Sequence, residues 1–127
     1  MGRDYRQMYR EKLCTAAEAV QCIEPGDWVV FNTGWHKYWR WDNYAYFNYY
    51  PGLGPEAAEW LVEKGVKGVA GTWGATDSPL WHYPLSQTMP WLAEEYKKET
   101  GKDPDKEFPE YEPCHRILLR NGIVTIE

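Results

Sequence analysis

"PGLGPEAAEWLVEKGVKGVAGT", residues 51–72, is the stretch whose reading decides the fold. Pro55 suits the first helical position, where a missing N–H costs nothing, and Glu56 beside it complements the positive end of the helix dipole. Ala57, Ala58, Leu61 and Val62 fall at helical spacing and form an apolar stripe. Gly65 supplies the left-handed residue that closes such a helix, and "VKGVAGT" (66–72) then reads as a strand. Upstream, "DWVVFNTG" (27–34) is a short apolar run rich in β-branched and aromatic residues, which predicts another strand. Two strands joined through a helix make a crossover unit of the βαβ kind, so the fold class is α/β.

Working outward, Thr15 and Glu18 form a capping-box pair ahead of Ala16, Ala19, Val20 and Ile23 at helical spacing, with Pro25-Gly26 as the stop. Residues 4–12 read as a short helix or an arm, and 1–22 as an N-terminal arm or helix on a single partial domain spanning 1–127. "WGATDSPLWHYPLSQTMP" (73–90) is turn-rich, and "WLAEEYKKETG" (91–101) is a charged amphipathic helix closed by Gly101. "KDPDKEFPEYEP" (102–113) reads as a polar, proline-broken loop that covers something. "HRILL" is a helical turn, "RNG" a turn and "IVTIE" a closing strand. The expected architecture is three short strands with three to four helices.

At 127 residues the chain has the size of one domain. A net charge of −5 argues against a nucleic-acid binder, whose phosphate contacts need a basic face. No apolar run is long enough for a membrane span, and no apolar region follows the basic start, so the expected compartment is the cytoplasm. The three cysteines lack a C-x-x-C pair and read as reduced thiols. Aromatic residues make up 17% of the chain, enough to predict a thick core or an interface that another chain covers, hence a homo- or hetero-oligomer. They concentrate at residues 35–50, with nine rings in sixteen positions that fit neither helical nor strand period for long. Trp35, Tyr38, Trp39 and Trp41 would wall a pocket for a planar substrate, or else pack against a partner or further parts of the fold.

No phosphate-binding loop, dinucleotide fingerprint or nucleophile elbow is present. His36, His82 and His115 are never four residues apart, so no metal pair sits on one helical face. Taken singly, each histidine is an ordinary hydrogen-bonded residue, and Glu127 an ordinary surface one.

A resemblance alters that balance. "IEPGDWVVFNTGWHKYW", "PGLGPEAAEWLVEKGVKGV", "GATDSP" and "HRILLRNGIVTIE" occur in an order and spacing similar to the C-terminal half of the cyclase family of metal-dependent hydrolases, which includes kynurenine formamidase. "AEEYKKETGKDPDKEFPEYEPCH" is similar to a longer-loop subgroup. The resemblance implies a partial cyclase-type, swivelling α/β/α domain and hydrolysis of amide, formamide or lactam bonds. It also implies a divalent metal, zinc or manganese, held in part by a late histidine and a glutamate twelve residues further on; His115 and Glu127 match both. The Trp-rich segment, with Asp77 of "GATD", would then shape a pocket for a small aryl amide or formamide. The early H-x-G-T-H-x-D metal segment of that family is absent, since no histidine precedes His36. The implied site is therefore incomplete in this chain alone, and another chain would supply that segment.

"YREKLCTAAEAVQCIEPGDWV", within about residues 5–30, resembles the start of acetate/butyrate-type acyl-CoA transferases, without their catalytic glutamate or CoA-binding glycine loops. Three functions follow as expectations: a subunit or fragment of a metal-dependent hydrolase, a catalytically silent binding or assembly module of the same fold, and a CoA-linked transferase fragment.

Overall fold

The computed structural model describes residues 4–127. The expected crossover is present. Strand β1 (Trp28–Phe31), helix α4 (Pro55–Glu63) and strand β2 (Gly68–Gly71) follow one another, and β1 and β2 pair in parallel. Pro55 opens α4 at its first turn, and Gly65 adopts a left-handed φ of 70° just after it. Helix α8 (Pro113–Arg120) leads through the turn at Asn121-Gly122 into β3 (Val124–Ile126), which pairs in parallel with the other side of β2. The sheet order is β1-β2-β3.

Strand alternation gives this sheet two unlike faces. One carries Val29, Val69 and Thr125, with Phe31 in register with Gly71. Helices α4 and α8 pack together over it, and Ala58, Leu61, Val69 and Leu118 are almost wholly buried in the resulting core. Trp73 stacks on Phe31 with ring centroids 5.3 Å apart, lying so close over Gly71 that a Cβ there would meet the indole at 2.1 Å. The opposite face carries Trp28, Val30, Val124 and Ile126, and all four remain exposed.

The segments read as helices from periodicity or caps appear as α1 (Tyr5–Glu11), α2 (Ala16–Gln21), α4, α6 (Pro90–Thr100) and α8. The capping box of α2 has both halves formed, and Gly101 closes α6 with a φ of 73°. Ile23 lies beyond the end of α2, and the helix's apolar residues are exposed.

The described residues hold eight α-helices against the three to four expected, and three short ones are not read from the sequence at all. They are α3 (Asn43–Asn48), α5 (Leu85–Thr88) and α7 (Pro104–Glu107), each too short for periodicity to register. Asp42 and Asp103 accept backbone N–H bonds at the starts of α3 and α7, which holds them despite their length. The 102–113 stretch is thus not a structureless loop. Its Asp105 carboxylate takes both the backbone N–H and the hydroxyl of Ser86. Its Phe108 packs edge-on against Trp81 and Tyr96, near a second small core of Leu85, Met89, Leu92 and Ala93. All three cysteines are free, Cys14 and Cys22 exposed and Cys114 buried. Among the described residues no helix is long and apolar enough to cross a membrane.

Candidate functional site

The site forms where the start of α8 meets the segments that leave β2 and β3. Helix α8 begins awkwardly. Glu112 precedes it in a left-handed conformation (φ 44°) and gives no side-chain cap, and Pro113 has no N–H to offer. The next two donors are capped from far away in sequence. Asp77 Oδ1 accepts from Cys114 N at 2.7 Å, and Oδ2 accepts from His115 N at 3.0 Å. Asp77 has no solvent exposure, so these bonds offset the cost of burying its charge. It is fixed in place by a parallel bridge to Leu53, whose N–H bonds Thr76 O at 2.7 Å. Gly52 makes that approach possible, because a Cβ there would stand 2.3 Å from the backbone nitrogen of Ser78.

The same Asp77 Oδ2 lies 2.7 Å from His115 Nδ1, and His115 Nε2 lies 2.8 Å from Glu127 Oε1. That glutamate oxygen also accepts the Thr76 N–H at 2.7 Å. The imidazole therefore stands between two carboxylates, one buried and one at the rim. Burial pulls the imidazole pKa down. The Asp77 hydrogen bond and the charges of Glu127, Asp77 and Glu112 outweigh this, so the net shift is upward from the ordinary value. Tyr50 is buried beside the same charges. Desolvation first, then Glu127, Glu112 and Asp77, push its hydroxyl far up, so it stays a neutral phenol. The Cys114 thiol is driven up in the same way, by burial and then by Asp77, and donates to Leu53 O at 3.4 Å; it is no nucleophile.

A pH effect follows from the raised His115 value. A basic group with a raised folded pKa contributes stability that is complete below its unfolded value and is lost as pH rises through the folded one. The metal-free chain should therefore lose stability as pH rises from about 6.5, the ordinary imidazole value, upward. Urea midpoints measured across that range should fall, and His115→Gln should flatten the trend.

Two of the sequence-derived site residues, His115 and Glu127, are brought together. Asp77 joins them, though as a buried support beneath the imidazole and not on a pocket wall. The four rings expected to share a pocket with it are placed elsewhere. Trp35 tilts against Tyr38 with centroids 4.5 Å apart and donates its Nε1–H to Tyr46 O, while Trp39 packs edge-on against Tyr46. Trp41 is 90% exposed and stands out in solvent. This segment reaches toward the site through Tyr50, buried beside the charges of Glu127 and Asp77, and through Tyr46, whose hydroxyl bonds Trp73 O at 3.0 Å. A cleft of about 280 Å³ opens instead beside Tyr50 and Ser78, with Tyr49, Leu80, Leu92 and Tyr96 in its walls. The parts that periodicity and motif spacing could not reveal are Thr76 N, Tyr50 and Glu112. Thr76 alone lies in the "GATD" stretch (74–77), while Tyr50 ends the aromatic run and Glu112 falls in the polar 102–113 segment, with nothing in either to mark it out.

The donor set can be weighed for a divalent cation. With Nδ1 held by Asp77, Nε2 is the atom left to face a metal, the arrangement in which a carboxylate fixes the ring of a metal-binding histidine. Beside it stands a carboxylate of compatible hardness. Next to them the Thr76 hydroxyl is buried without a partner among the described residues. These atoms fit two positions of a shell. Among the described residues no group of three or more His, Cys, Asp and Glu is arranged to hold an ion.

Fold and site together define an α/β domain with an Asp–His–Glu constellation beyond the C-terminal ends of parallel strands, where open α/β sheets bind ligands. The chain belongs to the Cyclase family ("Putative cyclase"), whose sequence pattern matches residues 1–78. The match takes in the N-terminal residues expected to be an arm and ends one residue past Asp77, so His115 and Glu127 lie beyond it. No curated protein and no solved structure matches the chain.

Proposed function

We propose that this chain contributes the late half of a divalent-metal centre in a hydrolase acting on amide, formamide or lactam bonds. His115 and Glu127 are two of its ligands, and an H-x-G-T-H-x-D segment outside this sequence supplies the rest. The observation that carries this reading is the alignment of Asp77, His115 and Glu127, which leaves Nε2 and a glutamate oxygen 2.8 Å apart. Membership of the Cyclase family supports it at the coarser level of a cyclase- or hydrolase-like protein.

Zinc or manganese bound there would supply Lewis acidity and lower the pKa of water. The chain's own residues do the positioning. Asp77 fixes the imidazole tautomer and its tilt through Nδ1. Thr76 N–H turns the Glu127 carboxylate toward the histidine. The cleft beside Tyr50 and Ser78 is where a small aryl amide or formamide would lie.

Metal content of the purified chain, alone and with any co-purifying partner, tests the reading. Zinc or manganese should be retained with the partner and lost in Glu127→Ala. Because a ligating imidazole must shed its proton, metal retention should improve as pH rises through the raised His115 pKa. Failure to retain stoichiometric metal under any condition would favour a second reading, a catalytically silent assembly module. The observation behind that alternative is the exposed aromatic surface of Trp39, Trp41, Tyr44 and Phe47.

A further inference from the structure

We infer that the bare face of the sheet is covered in solution by the N-terminal arm of a second copy of this chain, so that two copies exchange arms. Parallel sheets bury both faces, and their strands read as apolar throughout for that reason. "WVVF" in β1 is such a strand, yet Val30 is 68% exposed and Ile126, its counterpart across the sheet, 54%. Trp28 lies flat over Gly68, where a Cβ would meet its ring at 2.4 Å, and Val124 completes a continuous apolar surface. The face therefore lacks the helical layer that α4 and α8 provide on the other side.

Helices α1 and α2 fit that role. They span seven and six residues, and none of their side chains is buried. Helices so short are marginal in water unless a face packs against something. Both nevertheless have well-made starts: Asp4 accepts from Arg6 N and Gln7 N, and Thr15 and Glu18 close a capping box. Tyr5, Met8, Tyr9 and Leu13 line one side of the arm at helical spacing, with Arg6, Gln7 and Arg10 on the other. Tyr5, Tyr9 and Leu13 are 59–73% exposed. An unpacked apolar stripe and an unpacked apolar face thus belong to the same chain.

Charge selects the same partner. Residues 1–12 hold four basic and two acidic side chains, against ten basic and seventeen acidic over 13–127. The arm is basic and the body acidic, so arm and body attract. Within one copy the arm buries no side chain and leaves its own sheet bare, so the seat is the face of another copy, and a reciprocal exchange closes as a twofold dimer.

The test is sedimentation of the full-length chain, paired with cross-linking. Wild type should sediment as a dimer, and Val30→Glu should raise the dissociation constant about a hundredfold by placing an unpaired charge in the contact. Val30 is already exposed in the single copy, so the variant should keep its helical circular dichroism. For the arm, Cys14 is joined by a short bis-maleimide to the thiol of Val30→Cys in a Cys22→Ser background, using a mixture of isotope-labelled and unlabelled chains. Cross-linked peptides that pair a labelled with an unlabelled chain are the expected result. A monomeric wild type, or a dimer indifferent to Val30→Glu, would overturn the inference. So would cross-links found only within one chain, which would mean that the arm covers its own sheet. A dimer in which Cys14 forms no link to the Val30→Cys thiol would assign the contact to sheet-on-sheet stacking and overturn it equally.

Discussion

Asp77→Ala is expected to lower the unfolding free energy by about 3–5 kcal/mol, the usual cost of removing one member of a buried charged pair. Three donors converge on this side chain: Cys114 N at 2.7 Å, His115 N at 3.0 Å and His115 Nδ1 at 2.7 Å. The alanine variant strands the first two at the start of α8, where neither Glu112 nor Pro113 can compensate. It also leaves His115 free to turn and Glu127 without its aligned neighbour. Asp77→Asn should cost less, since one oxygen still accepts, but its amide N–H₂ cannot accept from the helix start. Urea denaturation of both variants beside wild type checks the ranking. Equal, small losses would mean that α8 is held by its apolar face alone. Metal affinity provides a second readout, because losing a carboxylate that orients a ligating histidine typically costs about 10–100-fold.

Leu118→Ala is expected to cost about 2–5 kcal/mol, the range for emptying a leucine site in a packed core. Leu118 has no exposure and sits where α8 meets α4 over Val69, among Ala58, Leu61 and Cys114. Two of the groups that would border the hole, Val69 on its strand and Cys114 beside Asp77, have little freedom to close it. The neighbouring Leu119→Ala is the internal control. That side chain is 56% exposed, so truncation should move stability by less than about 0.5 kcal/mol. Thermal or urea unfolding separates the two variants. Similar losses for both would mean that α8 is not seated on the sheet as described.

The sheet and its crossover were legible because the signals are local. Pro55, Glu56 and Gly65 mark the ends of α4 within a dozen residues, and "WVVF" and "GVAG" have the composition of buried parallel strands. The short helices α3, α5 and α7 were not legible, because four to six residues without an apolar stripe carry no usable period and their stability comes from a capping aspartate or a tertiary contact. Part of the site was legible from the twelve-residue spacing of His115 and Glu127 in the resemblance, and the turn at Asn121-Gly122 does bring the two together. Asp77 was noticed as a pocket residue, but its part in capping α8 and holding His115 was not legible. Its partners lie 37 and 38 residues away, and no pattern in "GATD" says that a helix start will arrive above it. The open sheet face was likewise invisible, since apolar residues on both sides of a strand predict that both faces are covered, and within one copy one is not.

The central claim is that His115 Nε2 and Glu127 together face a divalent cation. Nitrogen NMR of histidine-labelled chain titrated with cadmium tests it most directly, since a metal–nitrogen coupling identifies the ligating atom. Coupling should appear at His115 Nε2 and not at Nδ1, which Asp77 holds. His36 and His82 should be silent, and Glu127→Ala should abolish the signal. Coupling at His36 or His82, at His115 Nδ1, or at none of the three while Glu127 is intact, would contradict it.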